Sequence, residues 1–272
     1  MDVLILAAEA CDTAKEIICK PGNVVELFEH KEALFSIGPF DFTRTVFLTF
    51  LAMVIVLIAL FVAFRKPRVV PTKFGVIMES IVSFVRDDVA KGTIGPEGSR
   101  YAPYLLSIFL FILVGNLFEL TPFINFPLTS RMAIPGMLSL FTYLIFVGVG
   151  FSKNGMSYLW GIIWPKSVPI GLRWLVGLIE FVSYFFLRPL TLAVRLFANL
   201  VAGHLMLTLL LGSGWLFFAS VGDIGPRAVI GLPWFAFGLA IFVFEFVVAV
   251  LQAYIFTLLS AVYIQTSVHP EH

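Results

Sequence analysis

The sequence predicts an all-α polytopic membrane protein, and the prediction rests on its composition and on its long apolar runs. Of the 272 residues, 60% are hydrophobic and 13% are charged, whereas a soluble domain is about 45–50% apolar and about 25% charged. A soluble core of this size would leave much apolar surface exposed. The net charge of +1 gives no electrostatic footprint for a nucleic acid. The composition therefore excludes a soluble globular enzyme, a disordered chain and a nucleic-acid binder.

The chain is predicted to divide into a tail and one membrane domain. Residues 1–44 are mixed and moderately charged, which predicts an extramembrane N-terminal tail, and residues 45–272 are predicted to form a single transmembrane domain. The tail holds Cys11 and Cys19, which either form one disulfide in an oxidising compartment or remain two thiols.

The apolar runs of the membrane domain predict about five transmembrane helices. Three runs have the length of one span each: residues 45–64, 101–120 and 134–151. Residues 172–211 and 229–267 would each form a helix about 60 Å long, against a hydrocarbon core of about 30 Å. Each is either a hairpin of two short spans or one helix that is steeply tilted or projects past the bilayer. We favour two long helices, joined by a loop over Gly212–Arg227.

A sixth helix is predicted over residues 72–90, outside the hydrocarbon core. Phe74, Ile77 and Ile81 recur at helical spacing, and charged residues such as Glu79 and Asp87 lie among them. This pattern is typical of an amphipathic helix that lies at the membrane interface.

The basic residues of the loops predict the orientation of the chain. They are concentrated in residues 65–100 and in the 152–171 loop, with fewer in the loops on the other side. Because cytoplasmic loops carry the excess of Lys and Arg, these two loops are predicted to be cytoplasmic. Five spans then place the N-terminus outside and the C-terminus in the cytoplasm.

Ionisable groups inside predicted spans are the candidates for function, because they are costly there. Five of the six lie in the two long helices; the six are Glu119, Glu180, Arg188, Arg195, His204 and Glu245. Their concentration in the two long helices predicts that these helices carry the chemistry.

Arg195 is the strongest candidate. A guanidinium stays protonated in a protein and must find a partner or water. No carboxylate lies three or four positions away on its own helix, so its counter-charge must come from another helix or another chain. A structural arginine paired with Glu119 or Glu245 is the alternative. Arg188, nearer the cytoplasmic end, is predicted to extend to the interface.

The polar residues around Arg195 predict two working faces on its helix. Asn199 shares the face of Arg195, whereas His204, nine residues on, points about 180° away. Glu245 and Gln252, seven residues apart, share a face of the last helix. In an antiparallel pair His204 and Glu245 both lie toward the outer end, where a His and an acid could accept and pass protons. A buried hydrogen-bonded pair is the alternative.

The sequence holds no motif for catalysis or for phosphate binding. It lacks HExxH, GxSxG and a glycine-rich phosphate loop. We therefore expect no enzymatic activity of its own, no cofactor, no metal and no bound nucleotide. A self-contained ion transporter or channel is the competing class; a transporter would predict an internal repeat, and the sequence contains none.

Several stretches resemble one protein family. Residues 188–204, RPLTLAVRLFANLVAGH, closely resemble the signature of subunit a of the bacterial F-type, rotary ATP synthase. Residues 251–259, LQAYIFTLL, resemble the last-helix motif of that family, and Pro103 through Asn116 and Pro71-Thr72 also match its pattern. The resemblance covers about residues 65–267.

This resemblance implies a stator proton-channel subunit of the membrane sector, CF(0). Two aqueous half-channels would deliver protons to and from a carboxylate on a rotating ring of c subunits. Arg195 matches the essential arginine that separates the half-channels and couples proton flow to rotation. The polar positions of the outer half-channel match Asn199, His204, Glu245 and Gln252. The inner half-channel would use Glu180 and Ser183, as its acid and its serine.

The resemblance also implies the partners and the location. The partners would be the c-subunit ring, the peripheral-stalk b subunits and membrane lipid, in the bacterial inner (plasma) membrane. The chain itself would make no ATP, and the His/Glu pair favours H⁺ over Na⁺. One departure is the spacing from Glu180 to Pro189, which is one residue longer than in most members; a π-bulge would absorb it.

Overall fold

The structure, a computed structural model, describes residues 33–37, 40–65, 72–121, 128–164, 169–220, 222 and 225–268. Cys11 and Cys19 lie outside these described residues. The α-helices are α1 Arg44–Phe64, α2 Lys73–Ser83, α3 Gly92–Ile94, α4 Ala102–Leu120, α5 Ala133–Asn154, α6 Ser157–Ile163, α7 Ile170–Val182, α8 Arg188–Ala219 and α9 Gly231–Val268. Two π-helical turns cover Phe84–Lys91 and Ser183–Leu187, and 3₁₀ turns cover Pro96–Arg100, Leu128–Ser130 and Gly225–Ile230.

Five helices of the described residues are long and apolar enough to cross a membrane, which confirms the all-α polytopic prediction. They are Arg44–Phe64, Ala102–Leu120, Ala133–Asn154, Gly171–Ala219 and Ala228–Val268. The last two have 49 and 41 residues. Each is continuously helical, so the long-helix interpretation is confirmed and the hairpin alternative is wrong. The predicted tail contributes one antiparallel hairpin, β1 Ala33–Ile37 and β2 Phe40–Thr43.

The predicted loop between the two long helices begins too early, because α8 continues to Ala219. Gly212 and Gly214 suggested a turn, yet Gly214 serves close helix packing. A Cβ added at Gly214 would lie 2.8 Å from the backbone nitrogen of Phe235. Glycine is therefore required here by the approach of two helices rather than by a turn.

The predicted amphipathic segment is helical, as α2 followed by a π-helical turn. Thr72 caps α2, since its hydroxyl accepts a hydrogen bond from the Gly75 N–H at 3.2 Å. Phe74 and Ile77 are exposed, whereas Met78 is buried. The helix is thus confirmed, and its place at the membrane interface stays a prediction.

The chain forms two compact units, one built from residues 52–114, 132–197 and 251–272, the other from residues 1–51, 115–131 and 198–250. The first contains the larger apolar core, in which Leu105, Ile112 and Phe256 are fully buried. The second has a small buried core of Leu120, Leu207 and Ala249.

Candidate functional site

Helix α8 has one buried and one exposed face. The buried side includes Leu192, Leu196 and Leu200. On the other side Arg195 and Asn199 are exposed, one helical turn apart. Further along α8, His204 is 2% exposed, and the division of this helix into two working faces stays a prediction.

Arg195 presents its guanidinium on the exposed face of α8. Among the residues that the structure describes, Arg195 makes no hydrogen bond or ion pair. Its neighbours on the exposed face are Thr191, Val194 and Ala198, two apolar residues and one hydroxyl that bonds to its own helix backbone. That its counter-charge comes from another helix or another chain stays a prediction.

Three ionisable side chains are buried together in the unit that includes residues 198–250. His204 Nδ1 lies 3.5 Å from Glu119 Oε1, and both side chains are nearly inaccessible. Glu245 is 9% exposed, and its carboxylate lies against Gly203, the residue before His204. We call Glu119, His204 and Glu245 the acid–histidine cluster. The cluster joins three helices, α4, α8 and α9.

Gly203 lets Glu245 approach the backbone of α8. A Cβ added at this glycine would overlap the Glu245 carboxylate. The carboxylate of Glu245 therefore lies beside the residue that precedes His204. Sequence analysis paired Glu245 with His204; the structure places the Glu119 carboxylate 3.5 Å from the His204 imidazole and Glu245 one residue earlier, against Gly203.

Two amides of the predicted spans are also buried. Asn116 Nδ2 donates a hydrogen bond to the backbone carbonyl of Ala249 at 3.4 Å, which ties α4 to α9. Gln252 is 3% exposed. Asn199 differs from both, because it lies on the exposed face of α8.

Glu180 and Ser183 lie on either side of the junction between α7 and the π-helical turn. Both are half-buried, and the Ser183 N–H donates to the Glu180 carbonyl. The turn Ser183–Leu187 falls between Glu180 and Pro189, the interval that the sequence analysis describes as one residue longer than in most members of the family it resembles. A π-helical turn absorbs one additional residue without changing the rotation of the helix beyond it, which explains the unusual spacing.

Arg188 contacts side chains of its own chain. Its Cζ lies 3.9 Å from the ring centroid of Tyr184 and 5.2 Å from that of Tyr263. Its Nη1 donates to Thr266 Oγ1 at 3.1 Å. A cation stacked on aromatic faces is stabilised by the ring quadrupoles. Arg188 is therefore held by the end of α9, a contact that the prediction of a side chain extending to the interface missed.

A second buried polar group lies beside Arg188, made of hydroxyls alone. Tyr158 donates to the Tyr184 hydroxyl at 2.5 Å, and Ser267 Oγ lies 2.9 Å from the first hydroxyl and 2.7 Å from the second. We call Tyr158, Tyr184 and Ser267 the hydroxyl cluster. Burial raises the pKa of Tyr158, in the short helix α6, far above its usual range. Its phenol therefore stays protonated and can donate.

The two clusters differ in what they can do chemically. A carboxylate and an imidazole that share a buried site can exchange a proton, so the acid–histidine cluster is a candidate proton-transfer site. The hydroxyl cluster is saturated with hydrogen bonds and orients its segments. Sequence reasoning singled out Glu119 as an intramembrane acid but gave it no role beside His204. Its charge within an apolar span was the available signal.

Comparison with known proteins identifies the family. The family model described as "ATP synthase A chain" matches residues 46–265. ATP synthase subunit a of Rhodococcus erythropolis is 37% identical over 240 residues, which is 88% of this chain and 86% of that protein. Those of Frankia alni and Cereibacter sphaeroides are 38% and 32% identical, over 83% and 95% of this chain and 77% and 92% of theirs. A match of this extent shows that the chain belongs to the ATP synthase subunit a family.

Proposed function

We propose that this chain is the stator proton-channel subunit of an F-type ATP synthase, with Arg195 as the residue that couples proton flow to rotation of a ring of c subunits. In this proposal two half-channels deliver protons to and from a carboxylate on the ring. Arg195 separates them, so that a proton must travel with the ring to pass from one to the other.

The observation that carries the proposal is the exposed guanidinium of Arg195 within an apolar span. A charge in that position is expensive unless a counter-charge faces it. An acid on a neighbouring subunit supplies one, which fits the membership of this chain in a multi-subunit membrane sector. The fixed charge of arginine suits this role, because a guanidinium does not release its own proton.

The acid–histidine cluster supports a proton path on the other face of α8. Glu119, His204 and Glu245 are three groups that take up and release protons, and each lies on a different helix. We assign them to the outer half-channel, with Asn199 and Gln252 as polar lining. We assign Glu180 and Ser183 to the inner half-channel.

The proposal includes an orientation and partners. The N-terminus lies outside and the C-terminus in the cytoplasm of a bacterial plasma membrane, by the distribution of basic loop residues. The c ring contacts the exposed face of α8, and the peripheral-stalk b subunits and lipid are the other partners. The chain makes no ATP and binds no nucleotide.

The test replaces Arg195 and measures coupled transport in the assembled complex. Arg195→Ala and Arg195→Lys should both abolish ATP synthesis and ATP-driven acidification of inverted vesicles. Alanine removes the charge, and the ammonium of lysine lacks the planar fork and loses its proton when buried. Arg173→Ala is the matched control, an arginine of α7 that stacks on Trp164, and it should retain transport. Normal proton-driven synthesis in either Arg195 variant would overturn the proposal.

A second measurement separates this proposal from a self-contained transporter or channel. The purified chain, reconstituted alone in vesicles, should conduct no protons, because the ring carboxylate that carries them is missing. Proton flux through the isolated chain at the rate of the whole complex would favour the transporter.

A further inference from the structure

The π-helical turn Ser183–Leu187 is a weak point in the helical stretch that carries Arg195. Its last hydrogen bond runs from the Arg188 N–H to the Ser183 carbonyl. The next residue, Pro189, has no N–H to donate. The helix therefore lacks one backbone donor directly after the turn, and π-helical turns are uncommon on their own. Contacts from neighbouring segments must hold this turn in place.

Three neighbouring segments supply those contacts, and all lie in the unit that contains the turn. Helix α6 and the last turn of α9 reach Tyr184 through the hydroxyl cluster. The last turn of α9 also holds Arg188 through Thr266. Helix α5 reaches the carbonyl of Pro189, which accepts a hydrogen bond from Ser139.

The hydroxyl cluster is tightly packed. Tyr158 is 3% exposed, Tyr184 6% and Ser267 0%. A Cβ at Gly150 would lie 2.6 Å from a ring carbon of Tyr158, so the helix α5 backbone lies directly against that ring. Neither tyrosine can leave the cluster without displacing a helix.

The turn sets the rotation of Arg195. Arg195 lies seven residues after Arg188, about two helical turns. If the π-helical turn relaxed to α-helix, one residue would be taken into the regular helix. All residues beyond it would then rotate by about 100° relative to Glu180. Such a rotation would turn Arg195 away from the side on which it is now exposed.

We propose that Tyr158, Tyr184 and Ser267 are positioning residues that hold the π-helical turn and thereby fix the rotation of the Arg195 face relative to the Glu180 segment. The proposal rests on the proposed function for the role of Arg195 in coupling. In this proposal the hydroxyl cluster acts on Arg195 through the helix.

The test uses the assembled complex with the double variant Tyr184→Phe/Ser267→Ala, which removes two of the three hydroxyls and little volume. Spin labels at Leu178 and Val194, exposed residues on either side of the turn, report its state. We expect the distance between the labels to lengthen by about 5 Å, the change that a rotation of about 100° produces across 16 helical residues. We expect proton pumping per ATP hydrolysed to fall several-fold.

Ser260→Ala is the matched control. This hydroxyl is fully buried in the same helix and donates to the Phe256 carbonyl of its own helix at 2.8 Å. It should leave both the label distance and the pumping unchanged.

Deletion of Phe186 gives a specific rescue. Removing one exposed residue from the turn converts it to α-helix while keeping the phase of the flanking helices. In this background Tyr184→Phe/Ser267→Ala should cause no further loss of pumping. An equal loss in both backgrounds, or an unchanged label distance in the double variant, would overturn the proposal.

The label distance needs no proton transport. A lengthened distance with normal pumping would therefore leave the positioning of the turn intact and count against the coupling role of Arg195. An unchanged distance would overturn the positioning proposal and leave the proposed function standing. If the double variant assembles poorly, Ser267→Ala alone supplies the same measurement, because it breaks two of the three hydrogen bonds.

Discussion

The acid–histidine cluster and the hydroxyl cluster are two buried polar groups built on opposite principles. The hydroxyl cluster closes a ring of hydrogen bonds of 2.5–2.9 Å among three neutral groups. The acid–histidine cluster contains two carboxylates and an imidazole, and His204 Nδ1 lies 3.5 Å from Glu119 Oε1. The hydroxyls of the first cluster hydrogen-bond one another, whereas Glu119 Oε1 in the second has no hydrogen-bond partner among the residues that the structure describes.

This difference indicates what each cluster is for. A fully satisfied buried network rigidifies its surroundings, whereas buried ionisable groups with unsatisfied capacity raise the free energy of the fold and are kept for function. A polar group among apolar helices is thus proposed to position a helix in one place and to transfer protons in the other.

Substitution of Glu119 is expected to have the largest effect and tests most directly whether the two clusters differ. We expect Glu119→Gln to lower ATP-driven acidification of inverted vesicles at least tenfold while the complex still assembles, because the amide keeps the shape but takes up no proton. Glu97→Gln is the control, an exposed carboxylate that pairs with Lys153, and should cost little. Normal pumping in Glu119→Gln would show that the acid–histidine cluster is structural, like the hydroxyl cluster.

An exchange of residues within the acid–histidine cluster would sharpen the comparison. The single variants His204→Glu and Glu245→His each set like groups in one site, and both should pump poorly. The double exchange restores one imidazole beside the acids, so it should pump better than the worse single variant. Coupling between contacting residues is about 0.5–3 kcal/mol. Losses that simply add would separate His204 from Glu245, and the measurement is acidification by all four versions.

An exposed ion pair serves as the reference for the two buried clusters. Its substitution is expected to have the smallest effect. Arg86 and Lys91 hold the pKa of the Asp87 carboxyl well below its usual range through hydrogen bonds. A lowered pKa stabilises the folded state above the ordinary value of 3.8, and this stabilisation is lost as the pH falls through the lowered pKa. Asp87→Asn should therefore lower the thermal stability slightly and equally at pH 7 and pH 5.

Thermal inactivation of the solubilised complex measures that difference. Ser99→Ala, another exposed polar side chain nearby, is the control. Asp87→Asn and the natural chain should differ in thermal stability by the same amount at pH 7 and at pH 5. If that difference disappears between the two pH values, a group other than Asp87 titrates there.

The fold was predictable from the sequence to the extent that it depends on apolar length. Five runs of adequate length predicted five membrane-crossing helices, and charge between Phe64 and Tyr101 ended the first of them. The extent of α8 was mispredicted, because glycine is the same residue whether it makes a turn or a close helix contact. Gly214 does the latter against Phe235, which depends on a partner distant in the sequence.

The candidate site was predictable residue by residue but not in its pairings. The cost of charge in a span identified Glu119, His204 and Glu245 individually. The pairing of these residues depends on which helix packs against α8 beside His204. No local sequence pattern encodes that packing. The hydroxyl cluster was missed for a related reason. Tyrosine and serine are ordinary residues near the end of a span, and their significance comes from the 2.5–2.9 Å contacts among three distant segments.

The exposed guanidinium of Arg195 also affects the insertion of the chain into the membrane and its stability there. A charge at the centre of a helix costs about 2.5–3.5 kcal/mol to insert into a bilayer, and no ion pair with a described residue of the chain offsets it. A newly inserted copy is therefore less stable in lipid than the assembled subunit. In the proposed assembly an acid on a neighbouring subunit removes that penalty, so the residue that we assign to coupling also makes the stability of the chain in lipid depend on assembly.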